Sequence, residues 1–150
     1  MKHRIILWLL AWLLALPLCA QTGLHIASVF NGQYRQRKDA TEVLLKGKKI
    51  SHYKLSLFRS LTLTPSNAER DQIERLVQAD ARQAIDKEVS LRGGHLYYGF
   101  YQLKPQGKTR RYIFYRNNAL HPSKAGDNKT LTIIYMEGTA TIEELQKIFS

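Results

Sequence analysis

Two residues conflict with their surroundings strongly enough to suggest chemistry. In KLSLFRSLTLT, residues 54–64, Leu55, Leu57, Leu61 and Leu63 share one face of an alternating strand with Tyr53. Arg59 falls in the middle of that face. On a helix turning about 100° per residue, Ile73, Leu76, Val77, Ala84 and Leu91 form one stripe, and Asp80 lies inside it. A guanidinium does not shed its proton, and an isolated buried carboxylate is costly. The planar fork of an arginine suits a carboxylate. The pattern therefore predicts a buried Arg59–Asp80 ion pair between strand and helix. The competing reading lets one of the two reach solvent at the rim. General acid–base catalysis by Asp80 would need a second titratable group beside it, and the adjoining sequence supplies none.

A second constellation interleaves aromatic and basic residues. In LYYGFYQL and RRYIFYR, the residues Tyr98, Phe100, Tyr112 and Phe114, rimmed by Arg110 and Arg116, form a candidate strip for stacking bases or sugars. The likeness to an RNA-recognition strand fails at its basic residue and first glycine, and Tyr101 stands where an aliphatic belongs. Core packing is the competing reading. His25, His52, His95 and His121 lack the spacing of metal ligands, and no P-loop, nucleophile elbow or dinucleotide fingerprint occurs. No metal and no cofactor is expected. Arg35, Arg37, Lys38, Lys46, Lys48 and Lys49 cluster around the first strands, where lysines guard an edge or attract an anion.

Positioning these residues requires a series of elements. A short helix is expected over 23–30, closed by Asn31-Gly32. TEVLLK (41–46) and the alternating run 50–64 read as a hairpin turning at Gly47. Ser66 and Glu69 fit a capping box opening a long helix to about residue 90, with Gly93-Gly94 beyond its end. Strands follow at 95–103, 110–116 and 131–137, and Thr141 with Glu144 opens a final helix carrying Ile142, Leu145, Ile148 and Phe149 on one face. The expected fold is α+β: a mostly antiparallel five-stranded sheet, a hairpin plus a three-strand meander, with the long helix and the C-terminal helix on one face.

Residues 1–20 carry Lys2 and Arg4, an apolar run from Ile5 to Leu18, and Ala20, the order of parts in a secretory signal peptide. The run falls short of the about 20 apolar residues that span a bilayer. Cleavage after Ala20 would leave a single domain, 21–150, without Cys19, the one cysteine, so the core alone must hold it. Losing Lys2 and Arg4 leaves 21 basic against 12 acidic residues, about +9. Such a charge steers anions towards the protein. In the periplasm or cell envelope those are lipid head groups, envelope glycans and acidic polysaccharides, and nucleic acid is disfavoured. The competing reading makes the charge a solubility device.

The segments LLKGKKISHYKLSLFRSL, LYYGFYQL, RYIFYRN and LTIIYMEGTATIEELQKIF resemble small exported proteins of gut-type Gram-negative bacteria known as domains of unknown function. The resemblance covers most of residues 21–150. It implies an envelope location and brings no activity or site residues. The expected role is that of an exported, non-enzymatic module contacting a protein or an anionic surface. An oligonucleotide- or glycan-binding module using the aromatic strands is the alternative, with an enzyme third.

Overall fold

The computed structural model of the chain describes residues 23–120 and 129–149. The signal segment 1–20, Cys19, the cleavage position and His121 lie outside the described residues. A 3-10 turn, His25–Phe30, opens the described chain and buries Ile26, Val29 and Phe30, the three apolar residues expected to group there. Strand β1 (Thr41–Lys46) pairs antiparallel with β2 (Leu55–Leu63). A 3-10 segment, Gly47–Tyr53, joins them in place of the expected tight turn.

Helix α1 covers Asn67–Ala81, opened by the expected capping box: the Glu69 N–H donates to Ser66 Oγ (3.2 Å) and the Ser66 N–H to Glu69 Oε1 (3.0 Å). It stops nine residues short of the expected end, at 81 rather than about 90. Residues Ala84–Arg92 form strand β3, the sixth strand, which the sequence reading placed in the helix. Gly93 and Gly94, with φ of +56° and +78°, are a hairpin turn and not a helix end. Strand β3 thereby satisfies one edge of β4 (His95–Gln106), whose backbone would otherwise lack partners.

Strands β5 (Thr109–Asn117) and β6 (Leu131–Gly138) complete an all-antiparallel sheet of order β1-β2-β6-β5-β4-β3. Helix α2 (Ile142–Phe149) follows β6. The α+β class and the antiparallel sheet are as expected; the sheet has six strands, not five.

The helices serve opposite faces, against the expected single layer. Ile73 and Val77 of α1 join Ile26, Val29 and Phe30 over Leu61, Leu63, Ile113, Tyr115 and Ile133. Leu145 of α2, with Ile142 and Phe149 alongside, covers Phe100, Tyr112, Phe114, Ile134 and Met136. The reason lies in β5, where RRYIFYR is apolar at consecutive positions, so both faces of that central strand demand cover.

Candidate functional site

The sheet register builds a cleft on the α1 face from two neighbouring cross-strand rows. In one row Arg59 of β2, Tyr135 of β6 and Ile113 of β5 are direct neighbours. In the next, two residues along, stand Lys46, Leu57, Glu137 and Arg111, from β1, β2, β6 and β5. Side chains two apart share a face, so the rows form one floor. Leu24, Ile26, Ala27 and Phe30 supply the wall above it, and Gln106 closes one end. The cleft, open to solvent, has a volume of about 320 Å³.

Charge in this cleft is one-sided. Lys46, Arg59 and Arg111 face a single carboxylate, Glu137. Glu137 Oε1 already accepts from the Tyr135 hydroxyl at 2.6 Å. Burial, and then the neighbouring Glu137, hold the Tyr135 phenol above its ordinary pKa, so it stays a donor. Arg111 is 7% exposed and spends Nε and Nη2 on the Lys104 carbonyl, at 3.1 and 2.9 Å. A larger cleft of about 420 Å³ lies beside it along β1, sharing Phe30 and Arg59. Its other charged residues, Arg35 and Glu42, pair with each other at 3.3 Å. The smaller cleft is therefore the one with unneutralised cations.

The structure separates Arg59 from Asp80. Each takes the face expected of it, but among the described residues no ion pair joins them. Asp80 is fully buried: its Oδ1 accepts from the His25 N–H (2.8 Å) and its Oδ2 from the Ile26 N–H (2.8 Å). His25 Nδ1 lies 2.9 Å from Oδ1. Arg59 donates through Nη2 to the Phe30 carbonyl at 2.8 Å, its guanidinium 5.0 Å from the Phe30 ring centroid. Both residues thus hold the same 3-10 turn, the anion at its N-terminal end and the cation at its C-terminal end, which is the favourable polarity. That turn is the wall of the cleft. The expected pair was missing its third member, a segment 54–55 residues from Asp80 in sequence.

The aromatic strip does share one face, but it is core. Phe100 and Tyr112 are fully buried, and Phe114 stacks on Phe149 of α2 with centroids 5.5 Å apart. The Tyr112 hydroxyl donates to the Ala140 carbonyl at 2.6 Å. Tyr98 meets Phe114 edge-on at 5.6 Å, Arg110 donates to the Thr139 carbonyl, and Arg116 is exposed. Helix α2 thus occupies the place a stacked base or sugar would need.

Asp71, Glu74 and His95 come together, with one ligand-type atom each within 4.8 Å of the others. The histidine spacing gave no sign of it. Several of their polar atoms are already engaged. Glu74 Oε1 accepts from the Leu96 N–H at 2.8 Å, its Oε2 meets His95 Nδ1 at 3.2 Å, and Asp71 Oδ1 accepts from Arg70. The group ties α1 to the start of β4.

Sequence reasoning overlooked Arg111, Tyr135 and Glu137. Strict alternation offered a signal for the first: if Arg110 faces α2, Arg111 must face α1. These features define an α+β domain with an antiparallel six-stranded sheet, a helix on each face, and a cation-lined cleft beneath an N-terminal 3-10 turn. The chain belongs to DUF6108, a family of unknown function, whose model matches residues 13–149. No curated protein and no solved structure gives a significant match.

Proposed function

We propose that this chain is an exported, non-enzymatic binding domain of the periplasm or cell envelope that holds an anionic partner in the cleft beneath the first 3-10 turn. The observation that carries the reading is the gathering of Lys46, Arg59 and Arg111 against a lone carboxylate already engaged by Tyr135. Arginines do not titrate near neutrality, and the raised Tyr135 phenol does not either. Such groups suit holding charge better than moving protons. The apolar run after Lys2 and Arg4 supports export. The glycan- or oligonucleotide-binding alternative would require rings that lie under α2.

Retention on heparin resin tests the anion site, with charge-matched variants separating it from net charge. Arg59→Gln/Lys46→Gln removes two cations from the cleft. Lys48→Gln/Lys49→Gln removes two from the exposed segment after β1. Retention should fall with salt in every case. The cleft pair should elute at clearly lower salt than the control pair. Equal elution of the two pairs would make net charge the cause and overturn the cleft reading. Export is checked by the N-terminal mass of protein made in a Gram-negative host, expected to begin at Gln21; an intact Met1 would contradict it.

A further inference from the structure

We propose that the cleft takes a monoanion attached to a flexible apolar chain, a medium-chain carboxylate being the simplest example. This rests on the anion-binding reading above and adds the chemistry of the rest of the ligand. The charged and apolar parts of the cleft are both large and are separately placed. Three cations and one carboxylate give the lining a formal charge of +2. Leu24, Ile26, Ala27 and Phe30 form the wall, and Leu57 extends the apolar surface onto the floor.

The donors left over fit one anionic head. Arg59 has committed Nη2 to Phe30, and Arg111 has committed Nε and Nη2 to Lys104. Among the described residues neither guanidinium forms a salt bridge; Arg111 also meets the Tyr135 hydroxyl, so the remaining N–H groups of Arg59 are the ones open to a carboxylate. Their existing bonds to backbone carbonyls fix the guanidiniums in place, so little ordering cost remains when the head binds. Glu137 lies beside Arg111 in its row and accepts from Tyr135 through Oε1, and as the cleft's single carboxylate it offsets one of the three cations.

A polar polyanion would leave the apolar wall in water, and a neutral hydrocarbon would strand the cations without a counter-charge. A ligand with one charged end and an apolar body satisfies both halves. The same chemistry occurs in a free carboxylic acid and in the acidic lipids of a membrane, and the test must separate them.

Protein exported from the full-length gene is titrated calorimetrically with acetate, hexanoate, octanoate, decanoate and decanol, all below their aggregation limits. Binding to phosphatidylcholine vesicles with and without phosphatidylglycerol is measured in parallel. Affinity should climb by roughly fourfold for each added methylene that the cleft buries. Decanol should bind at least about tenfold more weakly than decanoate, the loss expected for a charge-assisted contact. Arg59→Gln should weaken decanoate by a similar factor, and Leu57→Ser should flatten the dependence on chain length. Lys46→Gln, at an exposed position, should weaken decanoate less while leaving the thermal melt unchanged, so the test survives if Arg59→Gln fails to fold. Vesicle binding that requires phosphatidylglycerol and is competed by decanoate identifies a membrane lipid as the source. Decanoate binding with no vesicle binding identifies a free acid. Equal affinity for acetate and decanoate would overturn the proposal and leave the anion site standing. Failure of every anion to bind would overturn both. Decanoate binding unchanged by Arg59→Gln and by Lys46→Gln would remove it from this cleft.

Discussion

Gly138→Ala is expected to lower the free energy of unfolding by about 3 kcal/mol or more, combining overpacking with lost hydrogen bonds. A methyl group at position 138 would lie 2.2 Å from the Lys54 carbonyl oxygen and 2.7 Å from Leu55 Cα. Both are backbone atoms, so no rotamer change relieves the clash. The Lys54 carbonyl also accepts the N–H groups of Thr139 and Ala140, at 2.9 and 3.0 Å. Pushing it away breaks the corner where β6 leaves the sheet towards α2. Lys54 itself has a φ of +59°, in the left-handed region, which shows how tightly the chain is bent there. Urea unfolding gives the answer. A loss within about 0.5 kcal/mol, the range of an ordinary surface change, would mean the two segments are not in contact.

Asp80→Leu should cost a comparable amount, about 3–5 kcal/mol, because two backbone donors lose a charged acceptor inside the protein. The double variant with Arg59→Leu separates this account from a direct ion pair. In a direct pair, replacing both partners by leucine recovers much of the loss. Here the carboxylate and the guanidinium grip opposite ends of His25–Phe30, and once Asp80 is gone the turn is already loosened. The double variant should therefore be no more stable than Asp80→Leu alone, measured as a double-mutant cycle. Recovery towards the wild-type value would restore the ion pair.

Local pattern carried much of this fold. The Ser66–Glu69 box, the apolar triple Ile26, Val29 and Phe30, and the alternation of Leu57, Arg59, Leu61 and Leu63 appear in the structure as read; Leu55 does not, because a register shift between Leu55 and Leu57 turns it into the α2-side cluster, and Tyr53 is exposed in the 3-10 segment. Residues 84–92 misled because Ala84 and Leu91 continue the helical stripe of Ile73 and Val77. What decides for a strand is nonlocal: β4 needs a partner, and Gly93-Gly94 provides the turn that delivers one. The cleft was legible only in parts. Arg59 stood out because it broke an apolar face. Glu137 and Arg111 did not, since charged residues near strand ends are ordinary. Their meeting depends on β6 inserting between β2 and β5, an order that no short-range pattern specifies. The aromatic strands could be read either as platform or as core, and the choice was made by α2, which places Phe149 on Phe114.

Amide chemical-shift mapping during a titration with decanoate locates, residue by residue, where an amphiphilic anion binds. Shifts are predicted to concentrate on Leu24–Phe30, Lys46, Leu57, Arg59, Arg111, Tyr135 and Glu137, and to require about tenfold more decanoate in Arg59→Gln. Shifts centred on Tyr98, Phe114 and Phe149, or spread over Lys48, Lys49 and Arg116 with the cleft silent, would contradict it.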